Sequence, residues 1–281
     1  RDPRGYFGRA PVEEGPEVFA PGARGGRREQ ELRFPGYRAR FSLPKGAAAG
    51  RRVPAVVILP ISKGDSQAEA IGEFLSAYGF ACLRMVTPRE VLAVDRSPEP
   101  VEEFRRRFRA YVAAVLGAVE WMAARPQVDP QRLGLVGISF GAVAGAVVSG
   151  VEPRIRASAL LLGGGDLAGI FLSSEDRLVR RVRFRLEEHT GASGRELEGL
   201  LREELRFVEP LSYAPGLDPE RVLLVNAAFD RVIARPHTLA LWKAAGKPRL
   251  YLVPSGHYTA IAFLPYASRL TLLHLQRSLG P

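Results

Sequence analysis

A serine between two glycines, Gly137-Ile138-Ser139-Phe140-Gly141, is the stretch of this chain best suited to chemistry. A serine hydroxyl is a weak nucleophile until a neighbouring base takes its proton, so its setting decides what it can do. Here the apolar run Arg132-Leu133-Gly134-Leu135-Val136 precedes it, and small residues, Ala142-Val143-Ala144-Gly145-Ala146, follow it. That order predicts a strand, a sharp turn and a helix, the context that makes G-x-S-x-G a nucleophile elbow. The turn forces strained backbone angles on the serine and leaves no room for side chains two residues away, a role for Gly137 and Gly141. Oγ then stands at a helix N-terminus, where free N–H groups and the helix dipole favour developing negative charge.

A base and an orienting acid follow in the chain. Asp230 comes just after the apolar run Val222–Ala228, and His257 comes just after the next one, Leu250–Val253, behind Ser255-Gly256. Ser139 then has His257 as its base and Asp230 as the carboxylate that orients the imidazole. The order Ser, Asp, His is that of α/β-hydrolases. From Glu29 to the C-terminus the sequence resembles that superfamily, and within it the serine esterases and dienelactone-hydrolase-like members. The resemblance implies an oxyanion hole made by the backbone N–H of Phe140 and a second N–H from the loop after Val53–Leu59. Many relatives carry His-Gly there; this chain has Pro60-Ile61-Ser62-Lys63-Gly64. Proline has no N–H, so Ile61 or Ser62 is the expected donor. Lys63 is a candidate for touching an acidic substrate, against the plainer reading of a solvated side chain. Asp166, behind Gly163-Gly164-Gly165, is the rival acid, because some hydrolases carry it after that earlier strand. His189, His237 and His274 are read as structural.

The composition narrows the alternatives. A chain of 281 residues can bury a large core without staples. One cysteine excludes an internal disulfide and a multi-cysteine metal site, and Cys82, inside Phe80-Ala81-Cys82-Leu83, reads as a buried, inert thiol. The four histidines lack helical ligand spacing, so no metal and no organic cofactor is implied. The net charge of +10 comes almost wholly from arginine, with no aromatic interleaving, so any nucleic-acid binding is expected to be weak, unspecific and salt-sensitive. The uncharged stretches Leu133–Val151 and Leu250–Ser268 are interrupted by glycine or proline and hold the motif residues, so no transmembrane segment is expected. The chain does not begin with Met, which fits an exported protein with its leader removed; otherwise the cytoplasm is the expected location.

These residues need a framework. Residues 1–28, rich in Gly, Pro and Arg, read as an irregular arm, and residues 29–281 as one α/β domain. Glu29–Phe34 and Tyr37–Leu43 around Pro35-Gly36 predict an edge hairpin. Val53–Ile61, Phe80–Val86, Arg132–Ile138 and Ile155–Leu162 are strand-like runs separated by helical patterns, one opened by the capping box Ser66-Gln67-Ala68-Glu69 and one by Ser97-Pro98. Such alternation gives a doubly wound, mostly parallel sheet. Between about 166 and 217 the strand pattern stops, and two amphipathic helices carry Leu178, Val182, Leu186 and Leu197, Leu201, Leu205. The resemblance makes this insertion a lid, with Leu178, Val182, Leu197 and Leu201 expected to roof an acyl pocket.

The reading is a serine hydrolase that cleaves a small carboxylic ester through an acyl-enzyme. The leaving group and acceptor are not written in these residues. Thioesterase, acyltransferase or peptidase chemistry therefore stays open, as does a non-catalytic binding protein on the same fold.

Overall fold

The computed structural model describes residues 5–20, 27–45, 47, 51–62, 64–86, 94 and 97–280. In chain order the elements are β1 (Glu13–Ala20), β2 (Arg27–Phe34), β3 (Tyr37–Ser42), β4 (Val53–Leu59), α1 (Ser66–Ala77), β5 (Ala81–Val86), α2 (Pro100–Ala123), β6 (Val128–Ile138), α3 (Phe140–Val151) and β7 (Ile155–Leu161). Three helices follow, α4 (Leu167–Ser173), α5 (Arg177–Thr190) and α6 (Gly194–Leu205), then β8 (Val222–Ala227), α7 (Arg235–Ala244), β9 (Arg249–Val253) and α8 (Leu264–Leu279). The sheet runs β1-β2-β3-β5-β4-β6-β7-β8-β9. The first three strands and the β3–β5 pair are antiparallel; from β5 to β9 every pairing is parallel.

Parallel strands are joined by crossover helices, which cover both faces and leave the inner strands no wet side. Ala55, Val56, Val57, Ile58 and Leu59 of β4 are accordingly all fully buried. Helices α1 and α8 cover one face, packing Ile71, Leu75 and Leu275 on Val56, Ile58 and Cys82. Helices α2, α3 and α7 cover the other, with Phe108, Val115, Val147 and Leu241 in the core of Val57, Leu59 and Leu83. Cys82 is buried, its thiol facing the Gly72 carbonyl at 3.5 Å. No described helix is long and apolar enough to cross a membrane.

Four expectations need correction. The N-terminal arm is not wholly irregular, because β1 pairs with β2 on the sheet's edge. Gly15-Pro16 hides the strand pattern, and a register shift between Glu14 and Glu17 absorbs it, as edge strands allow. Helix α1 has Asp65, not Ser66, at its N-cap, and α2 has Pro100, not Pro98, in its first turn. The stretch from 166 to 217 holds three α-helices rather than two, since the seven residues of α4 are too few to show a period.

Helix α8 closes the fold through a buried histidine. His274 Nε2–H donates to the Arg221 carbonyl at 3.1 Å, tying the last helix to the start of β8. Burial, with the charge of Arg249 beside it, holds its pKa below the ordinary 6.5, although backbone hydrogen bonds to Arg221 and Ser158 pull the other way. A histidine whose folded pKa is depressed stabilises the fold fully above the unfolded pKa. That contribution is lost as pH falls from about 6.5 towards the lowered folded value. Thermal unfolding between pH 5 and pH 8 should therefore show a steeper acid-side loss of Tm for wild type than for His274→Gln. Parallel curves would contradict it.

Candidate active site

Ser139 sits where β6 ends and α3 begins, with φ 54° and ψ −115°. A non-glycine residue there is strained, and the surroundings must hold it. They do so from both sides. Ser139 N–H donates to the Leu161 carbonyl at 2.8 Å. A Cβ on Gly137 would stand 2.3 Å from the Gly141 carbonyl oxygen, and one on Gly141 would stand 2.2 Å from that of Leu59. Any side chain at either glycine would push the turn apart, which gives the motif's glycines their physical meaning.

The two loops that follow β8 and β9 bring the partners. Ala228 N–H donates to the Val253 carbonyl and Phe229 N–H to that of Ser255, so the loops are laced together. His257 Nε2 lies 2.9 Å from Ser139 Oγ, and His257 Nδ1 lies 2.7 Å from Asp230 Oδ2. The other carboxylate oxygen, Oδ1, accepts the N–H groups of Val232 at 2.8 Å and Ile233 at 2.9 Å. Each Asp230 oxygen therefore has its own task, and the carboxylate cannot rotate without breaking three hydrogen bonds. Its side chain is 1% exposed and that of His257 8%, so their attraction is little screened by water.

Phe140 is the first residue of α3, so its N–H has no acceptor within the helix. Its ring is fixed against Phe108 and Tyr111. Ile61 and Ser62 follow β4 and line the same cavity as Ser139 and His257. Lys63 lies outside the described residues.

That cavity encloses about 270 Å³. Its polar side chains are Ser62, Gln67, Ser139, Ser174, Asp176, His257 and Tyr258, and the remaining walls are aliphatic or aromatic. Of the residues expected to roof it, only Leu178 lines it, next to Val179. Val182, Leu197 and Leu201 are buried in the main core and do not. The reason is what the helices pack on: α6 rests on α4 and α2, so its leucine stripe is spent there. The wall that amphipathicity assigned to α6 comes instead from Ile170 and Phe171 of α4.

A bridge that no sequence pattern announces lies at the cavity's rim. Tyr258 Oη–H donates to Asp176 Oδ2 at 2.6 Å, while Asp176 Oδ1 caps α5 through the N–H groups of Leu178 and Val179. Burial, the Asp176 hydrogen bond and the charges of Asp176 and Asp230 push the Tyr258 pKa up to about 12, although the residue is 68% exposed. The phenol thus stays a donor. Its traces in the sequence are the Ser-Ser-Glu-Asp run ahead of α5 and the tyrosine beside His257.

Asp166, the rival acid, belongs to a second Ser, His, Asp chain. Its Oδ2 lies 3.3 Å from His237 Nδ1, and His237 Nε2 lies 2.8 Å from Ser173 Oγ. Ser173 is at the C-terminal end of α4, its hydroxyl also within 2.7 Å of the Gly169 carbonyl. A helix C-terminus presents carbonyl oxygens, which repel an oxyanion. This chain fastens α4 to α7, and Arg202 adds an ion pair to Asp166 at 3.0 Å.

No protein-family model matches the sequence, and no curated protein matches it either. Solved structures do. Acetyl xylan esterase 1 from Thermoanaerobacterium sp. JW/SL YS485 is 16% identical, with a TM-score of 0.68 over 94% of this chain and 91% of that one. A cold-adapted esterase from an Arctic intertidal metagenomic library is 17% identical, with a TM-score of 0.63 over 93% and 97%. An acylaminoacyl peptidase from Pyrococcus horikoshii is 17% identical, with a TM-score of 0.61 over 95% of this chain but 42% of its own. With its mostly parallel nine-stranded sheet wrapped by helices on both faces, the chain has the α/β-hydrolase fold.

Proposed function

We propose that the protein is a serine hydrolase that cleaves carboxylic esters with an apolar acyl group. One observation carries the reading: the hydrogen-bonded chain Ser139–His257–Asp230 opens into an apolar cavity. With Asp230 accepting from Nδ1–H, His257 Nε2 presents its lone pair to the Ser139 hydroxyl. Ser139 Oγ attacks the ester carbonyl carbon as Nε2 takes its proton, and the carbonyl oxygen gains the negative charge. The N–H of Phe140 and that of Ile61 or Ser62 hold this oxyanion. As the carbonyl reforms, the C–O bond to the leaving alcohol breaks, and Nε2–H protonates that oxygen. Water then repeats the sequence on the acyl-enzyme, releasing the acid and restoring Ser139.

The acyl group is the part of the substrate that the cavity can read. An apolar wall rewards each buried methylene by about 0.8 kcal/mol, close to fourfold in kcat/KM. Nitrophenyl esters from acetyl to decanoyl should therefore be cleaved with rising kcat/KM until the cavity is full. Leu178→Ala with Val179→Ala should move that optimum to longer chains. Leu197→Ala with Leu201→Ala should keep the wild-type profile and instead lower stability, by about 2–5 kcal/mol per site, as buried leucines do. A profile that peaks at acetyl, or one moved only by the α6 pair, would reject this assignment of the walls.

A further inference from the structure

We propose that Arg84 is a positioning residue for the second oxyanion donor, acting through Asp65; the proposal rests on the hydrolase reading above. Arg84 lies in β5, a strand with neighbours on both sides, and its side chain is 3% exposed. Burying a guanidinium is costly unless carboxylates surround it. Here three do. Arg84 Nη1 donates to Asp65 Oδ2 at 2.6 Å, Nη2 faces both oxygens of the buried Glu29 at 3.3 and 3.5 Å, and Glu69 Oε1 stands 3.6 Å away. Arg40 approaches Glu29 from β3 at 3.8 Å.

The place of this cluster suggests its use. Asp65 ends the loop that begins at Pro60, and Glu69 lies in the first turn of α1. Ile61, Ser62 and Gln67, between and beside these points, line the cavity. At its near end the loop is clamped to the elbow, since a Cβ on Gly141 would meet the carbonyl oxygens of Leu59 at 2.2 Å and Pro60 at 2.6 Å. At its far end the Arg84–Asp65 pair is the clamp. A cation beneath a helix N-terminus is disfavoured by the dipole, so the site is stable only with Asp65 and Glu69 held over it. The two clamps bracket Ile61 and Ser62, one of which, on the hydrolase reading, aims an N–H at the oxyanion. Asp65 makes no side-chain hydrogen bond that caps α1, so its carboxylate is free of that second duty.

Asp65→Asn isolates the clamp, because it removes the charge at a site 32% exposed and keeps the size. Arg84→Met and Arg84→Lys complete the series. A misaimed oxyanion donor acts on the transition state alone, so kcat on nitrophenyl butyrate should fall at least tenfold, against about 10²–10³ for outright loss of a donor. KM should stay within about twofold, and binding of a trifluoromethyl ketone, whose adduct carries the oxyanion, should weaken in parallel with kcat. Arg84→Lys, which keeps the charge but not the fork, should fall between Arg84→Met and wild type. If Arg84→Met does not fold, Asp65→Asn carries the test. An Asp65→Asn enzyme with wild-type kcat and ketone affinity overturns the proposal, as does a loss confined to KM. Ser139→Ala measured alongside keeps the two readings apart: its inactivity with an unimpaired Asp65→Asn rejects only the clamp, whereas its full activity rejects the hydrolase reading itself.

Discussion

Ser139→Ala should lower kcat for ester hydrolysis by on the order of 10⁶, as removal of a triad serine does elsewhere. What is left should be the modest acceleration, about 10³–10⁴ over water, that binding and oxyanion stabilisation supply unaided. The loss should come without unfolding. Ser139 makes no side-chain cap to α3, and the turn is held by the Ser139 N–H bond to Leu161 and by the bare faces of Gly137 and Gly141. Alanine inherits the same backbone strain at φ 54° and adds no bulk. The melting temperature should therefore stay within a few degrees while a fluorophosphonate ceases to label the protein. Ser173→Ala provides the contrast, since Ser173 also hydrogen-bonds to a histidine but sits among helix carbonyls. It should keep wild-type turnover and labelling. Wild-type turnover in Ser139→Ala would remove the basis of the proposed function.

The contrast between those two serines shows what a sequence can carry. The meeting of Ser139, His257 and Asp230 was legible because each follows a strand, and the C-terminal ends of parallel strands come together at one edge of the sheet. Local pattern and topology then suffice, without any knowledge of packing. The Ser173–His237–Asp166 chain was invisible for the opposite reason: it joins α4, a loop and α7 through tertiary packing alone. The α6 leucines failed in a related way. A helical period shows that a stripe is buried but not which surface buries it, and α6 chose α4 and α2 over the cavity. Ile170 and Phe171 line the cavity from a helix too short to announce itself. Arg84 stood in plain view inside the apolar run Phe80–Val86. Its meaning depends on Glu29, Asp65 and Glu69, which only the folded chain gathers around it.

Asp230→Asn should cost about 10⁴ in kcat, the loss seen when a triad aspartate becomes an amide. The hydrogen bonds around Asp230 say why. Oδ1 accepts two backbone N–H groups, from Val232 and Ile233, and only a carbonyl oxygen can replace it there. The amide nitrogen of Asn is therefore forced into the place of Oδ2, 2.7 Å from His257 Nδ1 in the wild type. An NH₂ group donates, so Nδ1 must become the acceptor and the ring proton must move to Nε2. Nε2–H then points at Ser139 Oγ and cannot take its proton. The charge that would stabilise the imidazolium is lost as well. KM should change little, because Asp230 does not line the cavity. Asp166→Asn is the matched control: it sits beside His237 and Arg202, away from His257, and should lower kcat at most a few-fold. Both variants are to be assayed on the same nitrophenyl ester near neutral pH. A large loss in Asp166→Asn together with a small one in Asp230→Asn would mean that the acid is Asp166, and that the short contact between Asp230 and His257 is not the one that orients the base.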